Sequence, residues 1–254
     1  MSEWLVLSIA MAAACAIVLT IVVINNRRVG EDDDPTETPD VLEYMTMMIG
    51  VIYAIVLGLA IAGVWEGRGA AQESVRQEAQ ALHEVSARAE VYPADVRTRI
   101  RSDIDAYVTY VVDTEWQYMA DHGAVSDRGD ELLDRVRHDV TLYAPRTDLE
   151  GQAYQPLVDQ VAAADDARNT RAENTEATMP LIVWFGLITG ALITIGLIFT
   201  LQIRRTPREL LLAGLFSVMI AFLLFLIWDL DAPFGHGIAA TPDPLADLLP
   251  DTGD

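Results

Sequence analysis

The sequence contains no lysine, and all 17 of its basic residues are arginine. Against them stand 38 acidic residues, which give a formal net charge of −21. A chain with this balance has no basic stripe that could follow a phosphate backbone, so a nucleic-acid partner is not expected. Acidity without lysine is typical of halophilic proteins, because concentrated salt screens the repulsion between acidic groups. We therefore interpret the charge as an adaptation to the solvent.

Cysteine is nearly absent as well. Cys15 is the single one and lies inside an apolar run, so an intrachain disulfide is impossible. The sequence also lacks the motifs of zinc peptidases, α/β-hydrolases, P-loop proteins and Rossmann domains. The four histidines have no metal-ligand spacing; they are His83, His122, His138 and His236. These absences predict a protein that is not an enzyme and that has no catalytic residue, metal site or cofactor.

Long apolar stretches are what the sequence has in abundance. Four runs of 19 to 21 residues contain no charged residue; they are Trp4–Ile24, Met45–Trp65, Leu181–Leu201 and Leu210–Trp228. A helix of about 20 residues crosses a hydrocarbon core about 30 Å thick. Hydrocarbon offers the backbone no water, so each run should be a helix. The runs predict an all-α, multi-pass protein of the cell membrane with four transmembrane helices in a 2 + 2 arrangement.

The segment between the second and third runs predicts a helical bundle inserted between the two helix pairs. Apolar residues in its longest helix, about 94–120, recur at intervals of three and four and form one stripe. The helices next to it, about 70–92 and 149–179, are expected to continue the second and third spans. We divide the chain into a first helix pair at 1–65, an extramembrane helical domain at 66–179, a second helix pair at 180–235 and a mobile acidic tail at 236–254.

Glycines within the apolar runs allow two interpretations. Gly186 and Gly190 in the third run have the GxxxG spacing with which membrane helices pack closely. Alternatively, one of the glycine-rich helices lines a narrow channel. The second run would then form an apolar constriction from side chains at helical spacing, with Ile52, Val56 and Leu59 as the candidates.

Acidic side chains lie at the predicted ends of two spans. Glu66 follows the second span, and Asp229 and Asp231 follow the fourth. A carboxylate near hydrocarbon is costly unless it meets water, a cation or an arginine. A helix end that emerges into water is one explanation. The other, for Asp229 and Asp231, is an ion-coordinating or gating element. In a channel all three residues would be boundary charges that bias which ions enter.

Several short motifs together resemble one known family. They are Val51-Ile52-Tyr53-Ala54, Trp65-Glu66, Glu78-Ala79, Glu115-Trp116 with Met119, Pro180 with Trp184 and Gly190, and Leu230-Asp231 followed by Pro233, Phe234 and Gly237. The combination is similar to the bestrophin-like family of prokaryotic membrane proteins, and the resemblance covers about residues 41–238.

The resemblance implies both a function and an orientation. Bestrophins are pentameric anion channels whose second transmembrane helix lines an apolar neck, and an acidic segment after a Pro-Phe-Gly turn helps them bind calcium. In this chain His236-Gly237-Ile238 follows Pro233-Phe234-Gly235 in place of that acidic segment, so a calcium site is not expected. The resemblance implies a cytoplasmic location for residues 66–179. The arginines of the short loops favour the outside instead, and both orientations stay open.

These observations lead to two functional hypotheses. The first is a channel-like homo-oligomer in the lipid bilayer, a pentamer if it assembles as bestrophins do, that passes small inorganic ions. The alternative is a non-conducting membrane sensor or scaffold whose helical domain binds a partner or ligand.

Overall fold

The structure is a computed structural model and describes residues 40–176, 179–201, 207–235 and 240–249. The elements in these ranges are all helical, which confirms the all-α prediction for this part of the chain. The helices are α1 (Asp40–Arg88), α2 (Ala94–Tyr110), α3 (Trp116–His122), α4 (Asp127–Leu142), α5 (Asp148–Glu176), α6 (Leu181–Leu201), α7 (Pro207–Leu230) and α8 (Asp243–Ala246). A 3₁₀ turn follows α1 at Ala89–Val91, and a π-helical turn joins α2 to α3 at Val111–Glu115.

Three of the described helices are long and apolar enough to cross a membrane. The qualifying segments are Tyr44–Val91 within and just beyond α1, Leu181–Phe199 in α6 and Leu211–Leu230 in α7. They contain or overlap the second, third and fourth predicted runs. The first run, Trp4–Ile24, lies outside the described residues, so the 2 + 2 arrangement of four spans stays a prediction.

The chain divides into two compact units. Among the described residues, the membrane unit comprises those of 40–65 and 179–231, and the bundle unit comprises those of 66–176 and 232–249. The four-part domain division given above stays a prediction.

The membrane unit has its own apolar core between α1, α6 and α7. Buried side chains from the three helices include Tyr53, Leu57, Leu187, Ala191, Ile220 and Ile227. The phenol of Tyr53 donates a hydrogen bond to the Leu187 carbonyl at 2.9 Å. Its ring lies so close to Gly190 that an added β carbon there would be 2.7 Å from ring atoms. Gly190 is therefore the glycine of the GxxxG pair that permits this contact.

The bundle unit buries the apolar stripe that the sequence predicts. Its core contains Val96, Ile100, Ile104, Val108 and Val111 from the α2 segment and Leu132, Leu133, Val136 and Val140 from α4. Residues 240–249 also contribute to this core, because Ala240 and Leu245 are fully covered. Part of the segment predicted to be a mobile acidic tail therefore carries apolar side chains that lie in this core, and the mobility of the tail stays a prediction.

Two helix boundaries differ from the prediction. The predicted helix at about 94–120 is interrupted by the π-helical turn Val111–Glu115. The predicted helix at 149–179 does not continue into the third span, since α5 ends at Glu176 and α6 begins at Leu181. Pro180 stands directly before α6, where its ring lacks an N–H donor and disfavours a helical conformation in the residue before it. By contrast, α1 runs without a break through 49 residues, as expected for the second span.

Candidate functional site

The predicted constriction residues share one exposed face of α1. Ile52, Val56 and Leu59 are 59, 44 and 69% exposed. The neighbouring Tyr53 and Leu57 point to a different side of the helix and are buried in the membrane unit. The helix therefore presents an apolar, uncharged face that the core of its own unit does not use.

The three predicted boundary charges have three different environments. Glu66 is exposed, whereas Asp229 is buried. The carboxylate of Asp231 accepts the backbone N–H of Met179 at 2.6 Å and the indole N–H of Trp184 at 3.1 Å. A carboxylate at a helix N-terminus is also favoured by the helix dipole. Asp231 therefore fastens the end of α7 to the start of α6.

The other positions named by the motifs lie in recognisable places. In the membrane unit, Trp65 is exposed and the carbonyl of Pro180 accepts the N–H of Val183 at 2.9 Å. In the bundle unit, the rings of Trp116 and Phe234 meet edge to face, with centroids 5.4 Å apart.

The Pro-Phe-Gly turn lies next to that aromatic contact. The carbonyl of Pro233 accepts the N–H of Ala240 at 2.7 Å, and Phe234 is buried. The turn thereby brings the segment after it back onto the core of the bundle unit.

Charged side chains meet at the centre of the bundle unit. Glu78 comes from α1, Tyr107 from α2, Glu115 from the end of the π-helical turn, and Arg168 and Arg171 from α5. Each of the five is at most 2% exposed. We call these five residues the buried ionic cluster. Its two carboxylates balance its two guanidinium groups, which is the condition under which charges can be buried at a tolerable cost.

Arg171 forms the innermost part of the buried ionic cluster. Its Nε donates to Glu78 Oε2 at 2.8 Å, and its Nη2 lies within 3.2 Å of both Glu78 Oε1 and Glu115 Oε2. Its Nη1 donates to the Met119 sulfur at 3.1 Å. The hydroxyl of Tyr107 donates to Glu78 as well. One guanidinium thus joins two carboxylates that are 37 residues apart in the sequence.

Arg168 completes the cluster on the side of α4. It makes a bidentate pair with Glu115, with Nη1–Oε2 at 2.7 Å and Nη2–Oε1 at 2.8 Å. Its remaining donors reach the Tyr107 hydroxyl, the Ser126 carbonyl and the Asp130 carboxylate at 2.7–3.2 Å. Two-point pairing of this kind fixes both the orientation and the distance of the two groups.

Backbone features make room for the cluster. The π-helical turn Val111–Glu115 contains one residue more than an α-helical turn. The extra residue rotates the side chains at its end, including that of Glu115, relative to a regular helix. Ser126 caps α4 by accepting the N–H of Gly129, and its own N–H and hydroxyl donate to Glu115 at 2.9 and 2.7 Å. A β carbon at Gly129 would overlap the Glu115 carboxylate and the Arg168 guanidinium. Gly129 is therefore required by the buried pair.

The electrostatics of the cluster favour full ionisation of Glu115. Burial by itself raises the pKa of a carboxyl, but hydrogen bonds from Arg168 and the charges of both arginines outweigh it, so the pKa of Glu115 falls to about 2. Burial also raises the pKa of the Tyr107 phenol, and the adjacent Glu78 raises it further, so this phenol stays protonated. For both arginines burial opposes the charge, yet their partners raise the pKa above its ordinary value.

The buried ionic cluster holds helices together, and its donors are already used in hydrogen bonds within the chain, so they are not available to a substrate. The guanidinium groups of Arg168 and Arg171 each donate five hydrogen bonds to groups of the chain itself. Within the described ranges there is also no group of three His, Cys, Asp or Glu side chains placed to hold a metal ion. Glu78 and Glu115 appear among the family motifs, but nothing in the sequence predicted that they share arginine partners. One signal was present: Glu78 falls on the same helical face as Val75 and Leu82, where an apolar residue would be expected.

Comparisons with known proteins agree with these features. Two crystal structures of point-substituted variants of a bacterial bestrophin homologue from Klebsiella pneumoniae are similar to this chain. The match with one of them has a TM-score of 0.65 at 12% sequence identity, and it includes 95% of this chain and 97% of the Klebsiella chain. The match with the other has a TM-score of 0.64 at 12% sequence identity, and it includes 98% of this chain and 99% of the Klebsiella chain. At this identity the likeness shows a shared fold.

No curated protein matches the sequence. The family model of the bestrophin-like domain, however, matches residues 12–245. Because this match takes in nearly the whole chain, the protein belongs to the bestrophin-like family.

Proposed function

We propose that the protein is a homo-oligomeric channel that passes small ions, with α1 of each copy lining the path. The observation that carries the proposal is the exposed apolar face of α1, formed by Ile52, Val56 and Leu59. Membership of a family whose known members are anion channels supports it. An uncharged apolar ring is a constriction that can gate by excluding water.

Conduction by this chain requires several copies. The described part of one chain supplies three helices that could span a membrane, which are too few to enclose an aqueous path. Copies arranged in a closed ring, five if the assembly is bestrophin-like, would bring their α1 helices together around an axis. The same faces of α1 would then meet at the centre.

The boundary charges take different roles in this proposal. Glu66 is exposed one residue after the end of the apolar run, where it can bias which ions approach the path. Asp231 accepts two hydrogen bonds within the membrane unit, so its role is to hold α6 and α7 in place.

The first experiment measures the copy number of the protein extracted at high salt and the ion flux through the same oligomer in liposomes. We expect a closed ring, and we expect Val56→Ala to increase flux because it widens the apolar constriction. Ile188→Ala on α6 is the matched control, since Ile188 is 49% exposed and Val56 44%. It should leave the flux unchanged.

Two results would overturn the channel proposal. The first is a monomer or dimer that persists in several mild detergents and lipids. The second is a closed ring whose flux is the same for Val56→Ala and the parent protein. Either would favour the sensor or scaffold hypothesis, for which the continuous helix from Asp40 to Arg88 is a suitable connecting element.

A further inference from the structure

The exposed side of α1 changes its chemistry where the apolar run ends. Side chains seven residues apart are close to two helical turns apart, so they lie near one line along a helix. On α1 one such line consists of Ile52, Leu59, Glu66, Glu73 and Gln80, and all five are exposed. The line is apolar in the segment of the proposed constriction and acidic directly after it, and it carries no arginine.

Glu66 is the first charge on this line, and no other charge offsets it. Among the described residues it has no ion-pair or hydrogen-bond partner. The next acid, Glu73, lies 3.5 Å from Arg76 and accepts an N–H of Gln77 at 3.3 Å, so its charge is partly compensated. Arg68 follows Glu66 by two residues and therefore lies about 200° around α1 from it. Glu66 thus presents an uncompensated carboxylate on the side of the helix that carries Leu59.

We propose that Glu66 determines which ions pass, and that it favours cations over anions. The inference rests on the channel proposal, because it needs several copies of α1 around one path. In a closed ring that presents Leu59 to the axis, Glu66 of each copy stands two turns further along the same side of the helix. The copies then form a ring of carboxylates at the end of the constriction. Rings of Asp or Glu side chains are found in the filters of cation channels.

The net charge of −21 does not by itself produce this preference. In molar salt the Debye length is about 3 Å, so a carboxylate away from the path has little effect on an ion inside it. A carboxylate beside the path acts at short range. By Coulomb's law, one unit charge about 4 Å away in water favours a monovalent cation over a monovalent anion about thirtyfold. Salt reduces this factor, and we expect a sodium-to-chloride permeability ratio of about ten.

This selectivity differs from that of the known members of the family, which are anion channels. An anion filter needs a positive or neutral lining, and the exposed line of α1 offers carboxylates instead. The sign of the charge at position 66 therefore decides the sign of the ion.

The experiment places the full-length protein in planar lipid bilayers and measures the reversal potential in a gradient of sodium chloride. The sign of the potential shows which ion passes more readily, and its size gives the permeability ratio. We expect a ratio of about ten for the parent protein, a ratio of about one for Glu66→Gln, and a preference for chloride for Glu66→Arg. Because Glu66 makes no hydrogen bond among the described residues, both variants should assemble with the copy number of the parent.

Glu131→Gln is the matched control. Glu131 is an exposed glutamate of α4, so the same substitution there removes one negative charge from the surface of the bundle unit. It should leave the permeability ratio unchanged, because its charge does not lie on the exposed line of α1.

The outcomes separate this inference from the channel proposal. A cation preference that disappears in Glu66→Gln and is retained in Glu131→Gln supports the inference. A parent protein that prefers anions would overturn the inference and leave the channel proposal standing, and so would a cation preference that Glu66→Gln does not change. A parent protein that carries no current would overturn the channel proposal, and this inference would fail with it.

Discussion

Replacing Glu115 by glutamine is expected to destabilise the bundle unit strongly. The substitution keeps the size of the side chain but removes one of the two negative charges that face Arg168 and Arg171. Both guanidinium groups stay buried, with only Glu78 as a carboxylate partner inside the core. An amide can replace one hydrogen bond of the bidentate pair, but it cannot replace the charge.

The expected cost is several kcal/mol. Breaking a buried ion pair by removing one partner costs about 3–5 kcal/mol. The lowering of the Glu115 pKa from 4.5 to about 2 corresponds to about 3 kcal/mol of stabilisation when the carboxylate is ionised. For a chain of this size, a loss of about 3–5 kcal/mol lowers the unfolding midpoint by about 6–20 °C.

Thermal unfolding of the full-length protein in detergent measures this loss, and hydrogen exchange locates it. Exchange should become faster in peptides of α5 while those of α6 stay unchanged. Glu131→Gln is the matched control, because Glu131 pairs with Arg128 on the surface, where both side chains are more than half exposed. Such pairs contribute about 0–1 kcal/mol.

Salt separates the two substitutions further. The effect of Glu131→Gln should shrink as salt rises, while that of Glu115→Gln should not, because buried charges are screened much less. Equal midpoints for the two variants would refute the argument that the buried ionic cluster stabilises the bundle unit.

Three further outcomes are expected, one from the buried ionic cluster and two from contacts within the membrane unit. The pKa of Glu115 is lowered in the folded protein, so the stability contributed by its carboxylate is complete above about pH 4.5 and is lost as the pH falls to about 2. The unfolding midpoint of Glu115→Gln should therefore depend less steeply on pH in that window than the midpoint of the parent protein. Gly190→Ala should lower the free energy of unfolding by about 1–3 kcal/mol, because its β carbon meets a tyrosine ring. Gly186→Ala, whose β carbon meets nothing among the described residues, should be neutral or slightly stabilising, and equal effects of the two substitutions would contradict this packing. Asp231→Ala removes the acceptor of two hydrogen bonds and should cost about 2 kcal/mol, and Trp184→Phe, which removes one of them, should cost about half as much in the same unfolding assay.

The helices of the described chain could be predicted from local sequence because hydropathy and periodicity are local properties. The runs beginning at Met45, Leu181 and Leu210 correspond to α1, α6 and α7. The stripe in α2 is buried as expected. The missed break before Pro180 was also local, since a proline there indicates a helix boundary.

The buried ionic cluster could not be predicted in the same way. Its arginine–glutamate pairs join residues 53 to 93 positions apart, and no local pattern shows which acid an arginine will meet. Arg168 and Arg171 stand in a polar, alanine-rich helix, and their three-residue spacing places them on one face. A face that carries two arginines is usually exposed. Glu115 is directed into the core by a π-helical turn, which interrupts the helical periodicity used in the prediction.

The place of the last helix in the bundle unit has a consequence for synthesis. The helices that build most of this unit leave the ribosome before the runs of α6 and α7, whereas Phe234, Ala240 and Leu245 leave after them. The apolar core of the bundle unit therefore stays partly uncovered while the last two runs enter the membrane. Apolar surface that is exposed on an unfinished chain binds chaperones and promotes aggregation. The core of the bundle unit is thus completed only after the run of α7 has been made, and a chain cut before Ala240 would leave part of that core exposed to solvent.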